Sequence, residues 1–205
     1  MGDDQLKETF VSSEDIFDGA IMQVQKWQVT LPDGRQAARE IVLHKGAAAI
    51  VPVDADGNVT LVRQHRVAID EFTWEIPAGK LDYTGEDPLG CAMRELEEET
   101  GLRAQNWRKM GHVVTTPGFC TEKISIFLAT GLSRHEDHPD PDEFLFVTTL
   151  PLAQAVQHVV EGHITDLKSC FGLLMAQKLL ADERTPLSAP AFANEFVPGQ
   201  KGAAI

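Results

Sequence analysis

One short stretch of the chain, residues 86–101, limits most strongly what the protein can fold into. It contains six acidic residues and a single arginine, and helix signals bound it on both sides. Asp87 is a typical N-cap residue, Pro88 suits the first helical position, and Gly101 suits the left-handed residue that ends a helix. The sequence therefore predicts an α-helix over Asp87–Thr100 that carries a dense row of carboxylates.

Three of these carboxylates share one face of the predicted helix. At about 100° per residue, Glu99 and Glu98 lie about 40° and about 60° from Glu95, on opposite sides of it. Like charges at these spacings repel each other and cost helix stability. A solvated acidic surface is the ordinary explanation for such a run. A bound cation is the alternative, and all-oxygen ligands favour Mg²⁺, with Mn²⁺ as a second choice.

The same helix has a side that can be buried. An apolar stripe lies about 120–160° from Glu95 on the helical wheel. It consists of Leu89, Met93, Leu96 and Thr100. We therefore expect the carboxylates to lie along the edge of the buried stripe. The neighbouring Cys91 and Ala92 are small and are expected to leave room for a ligand.

Composition excludes several classes of function. The formal net charge is −13, and a chain with so few basic residues lacks the footprint needed to bind nucleic acid or an anionic membrane surface. No run approaches the ~18 apolar residues of a membrane span, and the polar N-terminus does not resemble a signal peptide. Three cysteines without a CxxC motif predict reduced thiols. We therefore expect a cytoplasmic globular protein.

Turn signals and apolar runs suggest three segments. Residues 1–45 are expected to form a small antiparallel β unit, because two β-like runs flank the turn at Pro32-Asp33-Gly34. Residues 46–182 are expected to form a mixed α+β domain, and residues 183–205 a tail rich in Pro, Ala and Gly. Within the domain, the runs Ala47–Val53 and Val59–Arg63 are predicted to pair as a hairpin across the Asp56-Gly57 turn.

The acidic helix and the glycine loop before it resemble the signature of Nudix hydrolases. The signature is Gly-x5-Glu-x7-Arg-Glu-(apolar)-x-Glu-Glu-x-Gly-(apolar). It matches this chain at Gly79, Glu86, Arg94, Glu95, Leu96, Glu98, Glu99, Gly101 and Leu102. The chain departs from it once, because six residues rather than five separate Gly79 from Glu86. The extra residue falls in the loop before the helix, so the spacing within the helix is kept.

The resemblance implies a fold, a reaction and a substrate. The fold is α+β, an α/β/α sandwich of the Nudix type with a mixed sheet, preceded by the small N-terminal β unit. The reaction is Mg²⁺-dependent hydrolysis of a nucleoside diphosphate linked to another moiety. The stretches Arg63-Gln-His-Arg66 and Trp74–Gly79, together with Pro117, are similar to the ADP-ribose pyrophosphatase branch. That branch implies cleavage of ADP-ribose to AMP and ribose 5-phosphate by a homodimer formed through residues 1–45.

The family also implies roles for individual residues at the metal site. Glu95 and Glu99 resemble the principal metal ligands, and Glu98 resembles a bridging ligand that also takes part in catalysis. The backbone carbonyl of Ala78 matches a main-chain ligand. Arg94 is expected to orient the glutamates through ion pairs rather than to bind substrate.

Four further positions match residues that hold substrate: Arg39, Arg66, Glu75 and Pro117. Arginine suits bidentate binding of phosphate oxygens, although a structural ion pair explains either arginine equally well. Pro117 is equally well explained by a turn. Arg39 is expected to reach a site in the partner subunit.

A loop carboxylate is expected to take the proton from the attacking water. Glu143 is the first choice and Asp142 the alternative, both in the acidic loop that begins at His135. The pair His135 and His138 in the same loop lacks further ligands and the HExxH spacing, so an exposed loop explains it better than a metal site.

Three alternatives to this function stay open. The first is hydrolysis of another sugar nucleotide, such as GDP-mannose. The second is removal of oxidised nucleoside triphosphates, which the added N-terminal unit and Pro117 disfavour. The third is a catalytically inactive module that only binds a nucleotide or a protein, which the intact set of Glu95, Glu98 and Glu99 disfavours.

Overall fold

The fold is given by a computed structural model that describes residues 2–135 and 144–182. In these two ranges the chain forms ten β-strands and three α-helices, after a 3-10 turn at Asp3–Gln5. The strands are β1 (Thr9–Asp18), β2 (Gln23–Thr30), β3 (Gln36–Leu43), β4 (Ala47–Pro52), β5 (Asn58–Arg66), β6 (Glu71–Glu75), β7 (Ala78–Lys80), β8 (Leu102–Val114), β9 (Lys123–Arg134) and β10 (Phe146–Pro151). The helices are α1 (Pro88–Thr100), α2 (Leu152–Val160) and α3 (Leu167–Asp182).

The strands form three sheets. The N-terminal sheet has the order β1-β2-β3, a second sheet has the order β10-β5-β6, and a four-stranded sheet has the order β7-β4-β9-β8. Only β4 and β9 run parallel among the paired strands that the structure describes. The four-stranded sheet is therefore mixed, as predicted.

Strand β4 is the centre of the sandwich. All six of its residues are buried, because neighbouring strands pair on both sides and both faces are covered. Residues Ala47, Ala49 and Val51 face a core shared with α2, α3 and β5, whereas Ala48 and Ile50 face a core shared with α1. Because successive side chains of a strand point to opposite faces, β4 contributes to two apolar cores. The predicted α/β/α sandwich is confirmed.

The predicted hairpin of β4 and β5 is wrong. Apart from an isolated bridge between Val53 and Val59, the two strands part after the Asp56-Gly57 turn and enter different sheets. The reason is that β4 is apolar on both faces, so it is stable only as an inner strand with two neighbours. It finds them in β9 and β7, both distant in sequence, while β5 pairs with β6 and β10.

Helix α1 begins and ends where its sequence predicts. The Asp87 side chain accepts a hydrogen bond from the backbone N–H of Leu89 at 3.3 Å, and Pro88 occupies the first helical position. At the other end, Gly101 adopts a left-handed conformation with φ of 65° and its N–H donates to the Glu97 carbonyl. These two caps fix which turn of the helix each carboxylate occupies.

The N-terminal sheet stands apart from the sandwich. Every residue of β1 is exposed, including Val11, Ile16 and Phe17, whose side chains are more than half accessible. Backbone hydrogen bonds of Val42 to Phe119 and Thr121 connect the end of β3 to the loop after β8. In the part of the chain that the structure describes, no helix is both long and apolar enough to cross a membrane.

Candidate active site

The acidic face of α1 forms one wall of a groove of about 850 Å³. Strand β7 and the loop after it form the floor, and the end of β6 and the start of α3 form the opposite wall. The side chain of Ile21 from the N-terminal unit also lines the groove, as do His44 and Glu122, which lie 3.6 Å apart. The N-terminal unit, the central sheet, α1 and α3 therefore all contribute residues to the groove.

The predicted carboxylates lie together, but in a different setting from the one expected. Glu95 and Glu99 are buried and Glu98 is half-buried. The buried face of α1 also differs from the predicted stripe. Met93 was expected to be buried but is 47 % exposed, whereas Cys91 and Ala92 are buried in the core beneath α1. Glu95 and Glu99 therefore lie within the buried face, and Glu98 alone lies at its edge as expected. The two small residues allow close packing rather than leaving room for a ligand.

The extra loop residue is accommodated before the helix. Gly85 takes a positive φ of 89°, and the carboxylate of Glu86 accepts a hydrogen bond from the backbone N–H of Asp82 at 2.5 Å. The loop thus closes on itself, and the register of the helical carboxylates is unaffected.

Strand β7 forms a cradle for two of the buried carboxylates. The backbone N–H of Ala78 donates to Glu99 Oε2 at 3.1 Å. A Cβ on Gly79 would lie only 2.0 Å from both Cδ and Oε1 of Glu95, so only glycine leaves space for that carboxylate. This explains why the signature requires glycine here although the backbone is unstrained.

The donor set fits a hard divalent cation. Glu95 and Glu98 line the groove with Ala78, which can add a backbone carbonyl, and Glu99 lies against Ala78 through its hydrogen bond to the Ala78 N–H. Oxygen-only ligands of this kind suit Mg²⁺ or Mn²⁺ better than Zn²⁺. The chemistry of these residues therefore agrees with the metal that the sequence predicts.

Arg94 pairs with the carboxylates of its own helix. Its guanidinium lies 2.7 Å from Glu95 and 2.9 Å from Glu98, and 3.7 Å from Asp82 in the preceding loop. Burial alone would lower the pKa of Arg94, but the charges of Glu95 and Glu98 raise it above its ordinary value. The expected role of Arg94, holding the glutamates in place, agrees with these contacts.

The opposite wall contains a buried ionic network centred on Glu75. Arg66 binds both carboxylate oxygens of Glu75, at 2.8 and 2.7 Å, and Lys168 and Thr73 also donate to this carboxylate. Burial alone would raise the pKa of Glu75, but hydrogen bonds and charges from these partners lower it to about 2. Glu75 is therefore ionised and fully engaged, and the cations around it face the groove.

Sequence reasoning missed Lys168 and the role of Asp166. Lys168 is 9 % exposed and bridges Glu75 to Asp166, whose carboxylate lies 3.0 Å from Lys168 Nζ. Asp166 also accepts from the backbone N–H and the hydroxyl of Ser169, and Ser169 accepts from the N–H of Ile76 at 2.8 Å. The only signal in the sequence was the helix-start pattern at Thr165-Asp166, which does not reveal a contact with a strand about 90 residues earlier.

The remaining predicted positions lie elsewhere. Arg39 lies on β3, paired with Glu8, and does not line the groove of its own chain. Pro117 lines a smaller neighbouring cavity of about 480 Å³ that shares His44 and Glu122 with the groove. Glu143 and Asp142 lie outside the described residues.

Comparison with known proteins assigns the fold and the groove to a family. A model of the NUDIX domain matches residues 43–167, which include the acidic helix and most of both groove walls. The chain belongs to the Nudix family. The matched range begins at the end of β3, so the N-terminal sheet of this Nudix protein precedes the family domain.

Three relatives are similar over most of their length. The ADP-ribose pyrophosphatase of Mycobacterium tuberculosis is 40% identical over 167 residues, covering 80% of this chain and 80% of the relative. That of Bacillus subtilis is 38% identical over 174 residues, covering 84% and 94%. A methanol dehydrogenase activator of Bacillus methanolicus is 38% identical over 173 residues, covering 83% and 93%.

A solved structure supports the fold. The crystal structure of an ADP compounds hydrolase matches 86% of this chain and 96% of its own, with a TM-score of 0.75 and 22% sequence identity. This match supports the α+β fold, whereas the family assignment rests on the domain model and the relatives.

Proposed function

We propose that this Nudix protein hydrolyses the pyrophosphate bond of ADP-ribose and releases AMP and ribose 5-phosphate. The observation that carries the proposal is a groove with carboxylates on one wall and cations on the other, in a chain 38–40% identical to two ADP-ribose pyrophosphatases. Hydrolysis adds water across the phosphoanhydride: one P–O bond forms from water and the bridging P–O bond breaks.

The groove's own side chains would divide the work between its two walls. Arg66 is 45 % exposed at its side chain and offers a planar donor group for phosphate oxygens. Both oxygens of Glu75 are engaged, so we assign Glu75 the task of holding Arg66 and Lys168 in position within the substrate site. Pro117 would help to shape the adjoining cavity.

On the other wall, Glu95, Glu98 and Glu99, with the carbonyl of Ala78, would hold Mg²⁺, with Mn²⁺ as the alternative. When bound, the metal would offset the phosphate charge and lower the pKa of a coordinated water. Arg94 would keep the glutamates aligned. The proton of the attacking water would pass to a carboxylate, for which Glu143, or Asp142, and Glu98 are the candidates.

A substrate panel tests the proposal and separates it from its alternatives. We would measure AMP or GMP release from ADP-ribose, ADP-glucose and GDP-mannose, and pyrophosphate release from a nucleoside triphosphate, each with and without Mg²⁺. ADP-ribose is expected to give the highest kcat/KM. Faster cleavage of GDP-mannose would replace the substrate but keep the reaction, and binding of Mg²⁺ and ADP-ribose without turnover would favour an inactive binding module.

We also propose that residues 1–45 form a homodimer interface. Strand β1 is exposed along its whole length, including the apolar residues Val11, Ile16 and Phe17, so this small sheet leaves apolar surface uncovered. Light scattering should give twice the chain mass of 22.5 kDa, and Ile16→Asp should lower it. A monomer mass at micromolar concentration would refute the interface.

Arg39 does not line the groove of its own chain, so any role in substrate binding requires the dimer. We propose that Arg39 reaches the substrate of the partner subunit, where a guanidinium can bind phosphate. Arg39→Ala should then raise KM without dissociating the dimer, whereas an unchanged KM would leave Arg39 with only its ion pair to Glu8.

We further propose a cytoplasmic location, which the three free cysteines support. Residues 46–182 would form the hydrolase domain and residues 183–205 a tail.

A further inference from the structure

A second cluster of potential metal ligands lies at the end of α2, outside the groove. It consists of His158, Glu161 and His163. The Nδ1 atoms of the two histidines lie 3.4 Å apart. Glu161 Oε2 lies 3.4 Å from His163 Nδ1 and 3.8 Å from His158 Nδ1. Three ligand atoms from three different side chains thus form one compact triangle.

The backbone, rather than helical spacing, brings these side chains together. Residues five apart on a continuous helix point about 140° away from each other. Here α2 ends at Val160, and Gly162, with a φ of 76°, reverses the chain. The N–H groups of His163 and Ile164 both donate to the carbonyl of His158, at 2.9 and 3.1 Å. This hydrogen-bonded turn folds His163 back against His158, so the cluster is built by the local fold.

The size of the triangle matches a single metal ion. A point equidistant from the three ligand atoms lies about 2 Å from each of them, and Zn²⁺ binds imidazole nitrogen and carboxylate oxygen at about 2.0–2.2 Å. Two imidazoles and one carboxylate suit Zn²⁺ and neighbouring transition ions, whereas Mg²⁺ favours oxygen ligands alone. We propose that His158, Glu161 and His163 bind one transition-metal ion of the Zn²⁺ class, with further coordination positions open to water or a ligand.

This metal site would be independent of the proposed hydrolase activity. His158 and His163 line a separate cavity of about 400 Å³, whose other walls include Leu61, Trp74 and Ile164. Glu95 and Glu98 of α1 line the groove instead. The two sites also differ in ligand chemistry, so Mg²⁺ would favour the oxygen ligands of the groove and Zn²⁺ the imidazoles of the second cluster.

The ion would fasten the end of α2 to the segment that leads into α3. Ile164 follows His163 directly and is buried, and Asp166, two residues later, holds Lys168 in the groove. Binding an ion to the folded turn but not to the unfolded chain raises the thermal midpoint. Zn²⁺ should therefore raise the Tm of the full chain, and this readout does not require substrate.

The test uses untagged, metal-stripped full-length protein with Mg²⁺ in excess, so that the glutamate wall is occupied by a hard ion. Co²⁺ is titrated as a spectroscopic substitute for Zn²⁺, and its visible absorption is recorded. We expect one Co²⁺ per chain with imidazole ligation, displaced by Zn²⁺ in a one-to-one ratio. His158→Asn and His163→Asn should each weaken binding by at least about 100-fold, the upper end of the loss caused by removing a supporting partner of a metal ligand.

Two control variants make the result decisive. His112→Asn removes an exposed histidine of β8, and Glu98→Gln alters the glutamate wall; both should keep the Co²⁺ spectrum and the Zn²⁺-dependent rise in Tm. Co²⁺ bands that persist in His158→Asn or His163→Asn, or that disappear in Glu98→Gln, would overturn the proposal. So would the absence of any Co²⁺ bands in the wild-type chain.

Discussion

The substitution Gly79→Ala isolates the fit between strand β7 and the carboxylate of Glu95. The added Cβ would lie 2.0 Å from Glu95 Cδ and Oε1, and 2.3 Å from Oε2. Ordinary van der Waals contact begins at 3.4 Å, so the carboxylate must move by more than about 1 Å. A displacement of that size at a reacting centre costs about 10²-fold in rate, which corresponds to ~2.7 kcal/mol of transition-state stabilisation.

Stability should change far less than activity. The φ of Gly79 is not positive, so alanine introduces no backbone strain, and the three atoms nearest to the added Cβ all belong to the end of the Glu95 side chain rather than to backbone. The expected result is a fall of about 100-fold in kcat for ADP-ribose and a higher Mg²⁺ requirement. The midpoint of thermal unfolding should stay within a few degrees of wild type.

A matched control lies on the helix itself. A Cβ on Gly90 would have nothing within 4 Å, so Gly90→Ala should leave kcat unchanged and stabilise α1 by about 0.5–1 kcal/mol. Wild-type kcat and Mg²⁺ dependence in Gly79→Ala would refute the assignment of Glu95 to the metal wall. Equal losses of activity in both variants would show that the assay reports helix perturbation instead.

Two further predictions concern stability. The folded pKa of Glu75, about 2, is below its ordinary value of 4.5, so its contribution of about 3 kcal/mol is present above pH 4.5 and disappears as the pH falls through 2. Glu75→Gln should therefore lower the free energy of unfolding, measured in urea, by about that much at pH 7 and by less below pH 4.5. An equal loss at all pH values would contradict this. Gly172→Ala places a Cβ 2.9 Å from Val51 Cγ2, so it should destabilise α3 by about 1–2 kcal/mol despite alanine's higher helix propensity; a higher Tm would contradict that packing.

The parts of the fold that the sequence could predict are local ones. Capping residues mark both ends of helix α1, so its bounds could be predicted from the sequence. The spacing of Glu95, Glu98 and Glu99 then predicted that the three carboxylates share one face. The apolar stripe on the helical wheel predicted less accurately which residues of α1 are buried. It placed Met93 in the core and left out Cys91 and Ala92, because the buried arc is set by the strands that α1 packs against, β4 and β7, and includes Glu95 and Glu99.

The parts that failed depend on contacts distant in sequence. An apolar run such as β4 is compatible with a hairpin or with an inner strand, and only its partners β7 and β9 decide between them. The same limit applies to the wall opposite the glutamates. Lys168 and Glu75 are 93 residues apart, and nothing in either local pattern indicates that they meet.

The central claim is that the buried carboxylates of α1 perform metal-dependent hydrolysis of ADP-ribose. It is tested most directly by comparing Glu99→Gln with Glu97→Gln, the same chemical change on two sides of one helix, since Glu97 pairs with Arg103 away from the groove. The measurement is kcat/KM for AMP release from ADP-ribose as Mg²⁺ is varied. The account predicts loss of Mg²⁺-dependent turnover in Glu99→Gln and near wild-type turnover in Glu97→Gln; full activity in Glu99→Gln, or equal losses in both, would contradict it.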